Sequence, residues 1–378
     1  MRILQVCIGN PFTPTMYYKE NYLLDAFLEA GHTPLILADT TTWQDGKIVM
    51  VPAGDNTTLE NGVRVVRVDL GHGFLRQKLR WVHGFSDLVV SLQPDVMLVH
   101  AIQQHGICDL RELRQRLPQC RFYADVSTAY QNSAKNWLSR SLLHRGIYRA
   151  WIQKSLPYWD KIFYVNEESK QFLQEMYGVP NELMELNALP GVIMPPEEKA
   201  SRKAEFRSAH GLADEQLVLF HSGKMDAMKR TGDLLDAMER LPEGRARLFI
   251  AGSFYDDVRE VLTDRIARMP NVTYLGFLNQ DEMQTTLAAS DLYCQPGSAS
   301  QTAQAAIACG TPVIVYGEAA YGKFIHGNGV LLSRPEDIQT VLPELVSRPD
   351  ELARMSDAAY KLAGELLDYR ALAARLYR

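Results

Sequence analysis

The sequence has little cysteine and no cysteine pattern. Its five residues, Cys7, Cys108, Cys120, Cys294 and Cys309, form no CxxC pair. An odd number without ligand spacing argues against a disulfide framework or a zinc site and predicts free thiols in a reducing compartment. Long apolar runs are also missing: none approaches the roughly 20 residues needed to span a bilayer. The opening Met1-Arg2-Ile3-Leu4-Gln5-Val6-Cys7 reads as a strand rather than a secretory leader. A strong excess of one charge is lacking, with a formal net charge of -5 over 378 residues. That excludes a molecule that binds polyanions with its whole surface, so no nucleic-acid partner is expected and any membrane contact needs a local patch. There is no P-loop, no HExxH, no GxSxG, and no GxGxxG after the first strand. No DxD-like metal motif is evident, and Asp256-Asp257 reads as the acidic start of a helix. No repeat or low-complexity tract occurs.

What is present is an ordinary globular composition, 46% hydrophobic and 22% charged. The length exceeds what one hydrophobic core usually supports, which predicts two domains. In the first half, strands are expected at Ile3–Ile8, Thr33–Ala38, Val63–Val68, Asp95–His100, Cys120–Ala124 and Lys161–Val165. A helix is expected over Tyr18–Ala30, stopping at Gly31. The character changes at Leu186–Ala200, where Pro190-Gly191 and Pro195-Pro196 punctuate the chain, and a charged helix over Lys199–His210 follows. A second alternating series has strands at Leu217–His221, Ala246–Ala251, Val272–Leu275, Leu292–Gln295 and Pro312–Val315. Strands separated by helices predict an α/β fold, with doubly wound parallel sheets in two domains, 1–190 and 191–364. Two such sheets are expected to face a ligand cleft, and ligands of open parallel sheets sit at the carboxyl ends of the strands.

Those strand ends carry the chemistry. Gly223 ends a predicted strand, with Lys224 and Lys229 on either side of a short loop before the helix Asp233–Arg240. Two cations and helix amides suit a diphosphate, although solvated lysines on a plain loop would look the same. Pro296-Gly297 turns the chain into Ser298, Ser300, Gln301, Thr302 and Gln304 at the start of a small-residue helix. These hydroxyls and amides can hold a phosphate or a sugar, and they can equally cap the helix. Gly252 and Gly276-Phe277 end neighbouring strands and are placed to frame a nucleobase. Gly327-Asn328-Gly329 is a tight turn. His100 closes a buried strand, where a lone histidine is usually structural.

From Ser127 to Trp159 there is no acidic residue. Lys135, Arg140, Arg145, Arg149 and Lys154 alternate with Trp137, Leu138, Leu142, Leu143, Tyr148, Trp151 and Trp159. Such a stretch fits either an anionic membrane surface or a solvated helix with its apolar side in the core.

Taken in order, these signals resemble the bacterial retaining glycosyltransferases of family 4, which have the GT-B fold of two Rossmann-like domains. The resemblance rests on Ala30-Gly31-His32, Leu189-Pro190-Gly191-Val192, Gly223-Lys224 with Lys229, Asp291 to Pro296, Ala305 to Ile314, and Gly327-Asn328-Gly329. It implies a cytoplasmic enzyme, peripheral at a membrane, that passes a sugar from a nucleotide-sugar to a glycan or lipid-linked glycan in surface polysaccharide synthesis. It implies retention, no metal, no cofactor beyond the nucleotide-sugar substrate, and residues 365–378 packing back on the first domain. Two family features are missing. The paired donor-loop glutamates would fall near Ser300 or Gln301 and at Gln304 or Ala305, and none is acidic. The first-domain histidine would fall near Asp125-Val126-Ser127, where Asp125 is the one ionisable group. Lys224, Lys229 and Asp125 are therefore the expected catalytic groups. Gly223, Gly252, Phe277, Ser298, Ser300, Gln301, Thr302 and Gln304 are the expected donor contacts. A non-catalytic glycosyltransferase-like partner subunit and a sugar-nucleotide epimerase are the alternatives.

Overall fold

The computed structural model describes every residue except 15, 17, 45, 46 and 72. Two compact units emerge. The first takes Met1–Ala188 with Arg370–Arg378, and the second takes Leu189–Tyr369. The returning segment thus starts at Arg370 rather than at 365. Residues 365–368 still belong to the second unit because Gly191 bridges Asp368 and its N–H bonds the Leu367 carbonyl.

The first unit has strands β1 (Arg2–Cys7), β2 (Thr33–Asp39), β3 (Thr41–Gln44), β4 (Lys47–Met50), β5 (Gly54–Thr58), β6 (Arg64–Val68), β7 (Val96–His100), β8 (Arg121–Val126), β9 (Lys161–Tyr164) and β10 (Met184–Leu186). Eight of them form one sheet in the order β10-β9-β8-β7-β1-β2-β6-β5. β5 runs antiparallel to β6 and the other pairs are parallel. Alternation along β2 explains the layering. Leu35 and Leu37 pack in one apolar cluster, while Ile36 and Ala38 pack in another. Both faces are covered, as a parallel sheet requires. β3 and β4 form a separate antiparallel hairpin. It has no buried face, so it leaves no alternation to read in the sequence.

The second unit has β11 (Leu217–Met225), β12 (Ala246–Phe254), β13 (Val272–Gly276), β14 (Leu292–Gln295), β15 (Val313–Tyr316) and β16 (Gly329–Leu332). They form an all-parallel sheet in the order β13-β12-β11-β14-β15-β16. The helix Gln301–Ala308 buries Ala303, Ala305, Ala306 and Ala308. Small side chains are needed there, because a Cβ on Gly191 would lie 2.3 Å from the Ala308 Cβ.

Candidate functional site

At the carboxyl edge of the second sheet, the strands run further than the sequence predicts. β11 continues past Gly223 to Met225, and β12 continues past Gly252 to Phe254. The reason lies in the glycine pair. Gly223 and Gly252 are opposite each other in the ladder, at φ +142 and +123, a region that L side chains rarely adopt. A Cβ on Gly252 would lie 1.9 Å from the Gly223 carbonyl oxygen. The glycines therefore do not end the strands. They let them cross closely while remaining paired through Lys224–Ser253 and Met225–Phe254.

Lys229 lies over this crossing. Its Cε would be 3.3 Å from a Cβ on Gly223. The Asp226 side chain accepts from the Lys229 N–H and shapes the loop. The Lys229 ammonium donates to the carbonyls of Ser298 and Ala299 at 2.9 and 3.1 Å. Ser298 N–H returns a bond to the Met228 carbonyl at 2.8 Å. Gly297 permits this docking, since a Cβ there would lie 2.1 Å from the Met228 carbonyl oxygen. The loops after β11 and β14 are thus stapled into one rim. Burial lowers the Lys229 amine from its ordinary 10.5 to about 8, with Asp226 opposing the shift. Lys224 is exposed on the extended end of β11, and partial burial lowers its pKa too.

Behind the rim, polar groups are committed to structure. Gln295 donates to the Ser298 carbonyl at 2.8 Å, and Tyr293 donates to Gln295 at 3.0 Å. His221 donates from Nδ1 to the Cys294 carbonyl, and its Nε2 faces Thr231 Oγ1 at 3.0 Å. Burial drives its pKa down to about 4, which keeps the ring neutral.

The remaining predicted donor residues divide into two groups. Phe277 follows β13 directly and is 63% exposed, so its ring is open to a ligand. The Ser298 side chain is half-buried on the rim, and Gln301 opens the helix. Ser300 caps that helix, because its side chain accepts from Thr302 N–H, while Ser300 N–H donates to the Tyr321 hydroxyl. Gln304 turns inward and accepts from Leu189 N–H at 2.9 Å. The capping reading thus holds for Ser300. The amides of Ser298, Ser300 and Thr302, at the turn expected to grip phosphate, donate within the protein.

Asp125 lies in the first unit, at the end of β8, opposite His100 in the ladder with β7. It is buried in a network that sequence reasoning did not find. Lys19 donates to Asp125 Oδ1 at 2.7 Å and to the Asn187 carbonyl at 2.6 Å. His100 Nδ1 lies 3.4 Å from Asp125 Oδ2, and its Nε2 meets Gln5 Oε1 at 2.7 Å. Burial pushes the Asp125 carboxyl up, but Lys19 and His100 outweigh it and hold it below the usual range. One signal for this network was available. A lysine at the first position of a helix opposes the macrodipole and calls for a partner.

The basic stretch is a helix over Ser139–Tyr148 wound with π-type hydrogen bonds, continuing through Arg149–Ser155. Tyr148, Ile152 and Trp159 enter the core. Trp137, Leu138 and Leu142 are exposed beside exposed Lys135, Arg140 and Arg145. Lys154 is also exposed, while Arg149 is spent on the Met176 carbonyl at 3.0 Å. No helix among the described residues is long and apolar enough to cross a membrane. Among the same residues no cluster of three His, Cys, Asp or Glu could hold a metal.

Comparison with known proteins adds to this geometry. Residues 202–362 match the family described as Glycosyl transferases group 1, a span lying within the second unit. Three solved structures superpose over nearly the whole chain. Sucrose-phosphate synthase from Thermosynechococcus elongatus has a TM-score of 0.73 at 15% identity, covering 99% of this chain and 97% of that one. Anabaena HepE, in complex with UDP and glucose, has 0.68 at 16%, covering 99% and 98%. WaaG, a glycosyltransferase involved in lipopolysaccharide biosynthesis, has 0.67 at 15%, covering 99% and 98%. The fold is GT-B. The second unit supplies the part of that GT-B chain that matches group 1 glycosyl transferases. No curated protein sequence matches the chain.

Proposed function

We propose that this chain is a glycosyltransferase that takes its sugar from a nucleotide-sugar bound at the carboxyl edge of the second sheet. The observation that carries the reading is Lys229, buried across the Gly223–Gly252 crossing and stapled to the loop that follows β14. Lys224 stands on the extended end of the same strand. Two ammonium groups here suit a diphosphate, the leaving group of glycosyl transfer. Charge building on that group in an oxocarbenium-like step is stabilised by the lysines, without a metal and with retention of configuration. Phe277 offers an apolar wall to the base, and Ser298 and Gln301 offer polar contacts to the donor. The acceptor is a glycan or lipid-linked glycan of a surface polysaccharide. The protein works at the cytoplasmic face of a membrane, touching anionic lipid with Trp137, Leu138 and Leu142 between Lys135, Arg140 and Arg145. An amphipathic aromatic and basic patch of this kind supports that location.

The test is turnover with a panel of UDP-, GDP-, ADP- and dTDP-sugars, with and without EDTA. Lys224→Ala and Lys229→Ala should each depress kcat/KM by about tenfold to a hundredfold with the fold intact, as expected for charge-assisted contacts. Unchanged kinetics in both removes the diphosphate assignment. Donor binding without hydrolysis or transfer by any donor would favour the partner-subunit reading, which the absence of acids at Gln304 and Ala305 supports.

A further inference from the structure

We propose that a cavity at the carboxyl edge of the first sheet binds an oxyanion, a phosphate or carboxylate carried by the acceptor, through Arg80. Calling the ligand an acceptor rests on the transferase reading above. The cavity has a volume of about 640 Å³ and opens where strands end, lined by Gly9 after β1, Asp39 at the end of β2, Gln103 after β7 and Thr128 after β8.

Its charged lining is Asp39, Asp69, Lys78 and Arg80. Asp39 is committed to the fold. Its oxygens accept from Gly9 N–H at 2.6 Å and Thr41 N–H at 2.7 Å. Arg67 sits beside it, held by the carbonyls of Asp39, Thr41 and Phe12. Asp69 is an exposed rim residue that accepts from Gly71 N–H, and Lys78 is exposed on the rim as well. Arg80 differs from these: it makes no hydrogen bond or ion pair through its guanidinium among the described residues. Its stem crosses Gly9 so closely that a Cβ there would lie 2.0 Å from Arg80 Nε.

The backbone also marks the place. Arg80 ends the helix Phe74–Leu79 in the left-handed region at φ +51, where a glycine would fit with less strain. Ala101, which lines the same cavity, is at φ +71. Non-glycine residues held in this region concentrate at ligand sites. Gln103 and His144 line the same cavity. Gln103 donates to the Tyr177 hydroxyl at 3.1 Å, and that hydroxyl lies 2.6 Å from His144 Nδ1. The network is satisfied when Tyr177 donates to Nδ1, which leaves the proton of His144 on Nε2. A planar guanidinium with the neutral Nε2–H of His144 in the same cavity lining is chemistry that reads an oxyanion.

The test titrates the full chain, first loaded with UDP, with inorganic phosphate, glucose 6-phosphate and glucuronic acid by calorimetry. UDP blocks the lysines of the second unit, so binding reports the Arg80 cavity. The expected result is millimolar or tighter binding that falls at least about tenfold in Arg80→Gly and Arg80→Gln, the loss of one charge-assisted contact. Arg80→Gly also relieves the left-handed strain, so its melting temperature should be unchanged or higher, which separates lost binding from lost folding. Preference for glucose 6-phosphate assigns a phosphoryl acceptor, and preference for glucuronic acid assigns a carboxylate. No anion binding to the wild-type chain, or equal binding to both variants, overturns the proposal. A chain that fails to bind UDP defeats the donor reading instead, and leaves the Arg80 comparison valid.

Discussion

Lys229 carries the sharpest pH signature at the residue scale. In the proposed function the protonated amine holds the diphosphate, and its pKa of about 8 lies below the ordinary 10.5. Donor binding should therefore be complete below pH 8 and weaken as pH rises through that value. A bound anion favours the charged amine and moves the limb upward. Measuring kcat/KM and kcat against pH should show the limb at higher pH for kcat, and Lys229→Met should abolish both limbs. His221 has the opposite dependence. Its folded pKa of about 4 lies below the unfolded value of 6.5, so stability is complete above pH 6.5 and declines as pH falls toward 4. The full loss is on the order of 3 kcal/mol. Urea titrations at pH 7 and pH 4.5 should show the decline, and His221→Asn should flatten it. His144, also near 4, contributes in the same direction.

Asp125 was legible as the ionisable group of its strand, but its partners were not. Its bond to Lys19 spans 106 positions, and His100 reaches it through strand register. Neither relation has a local spacing. Asp125→Asn leaves the Lys19 ammonium buried beside a neutral amide, and should cost about 3–5 kcal/mol in urea unfolding. Adding Lys19→Met should recover much of that loss. Arg80 shows a related gap: its left-handed conformation comes from a helix end meeting Gly9, which the sequence around it does not reveal.

At the scale of elements, the long buried strands were readable because both of their faces are apolar. The hairpin of β3 and β4 was not, since neither strand has a face to bury. The glycine crossing of β11 and β12 was seen as two strand ends because glycine usually marks one. Gly252→Ala drives a methyl group onto the Gly223 carbonyl from a backbone angle that favours glycine. We expect a loss of at least about 2 kcal/mol, together with loss of donor binding, checked by thermal unfolding with and without UDP. The basic stretch splits its aromatic residues, with Tyr148 and Trp159 inside and Trp137 outside. Replacing Trp137, Leu138 and Leu142 by serine should abolish sedimentation with anionic vesicles and leave the melting temperature within a degree or two, as surface changes usually do.

For the whole molecule, two sheets and two separate cores follow from length and from the change in character near Leu186, both visible in the sequence. UDP should raise hydrogen-exchange protection over 223–229 and 295–302, the two stapled loops, and its absence there would place the nucleotide elsewhere. The closing helix Tyr369–Tyr377 carries a different implication. Arg370 pairs with Glu29 at 2.6 Å, Arg375 donates to the Leu186 carbonyl at 2.5 Å, and Tyr377 stacks edgewise on His32 at 4.3 Å. During synthesis, the half of the polypeptide that leaves the ribosome first must wait for the stretch after residue 369 before its last contacts can form. Emergence of that stretch, rather than completion of the first 188 residues, sets the earliest moment at which that half reaches its final form.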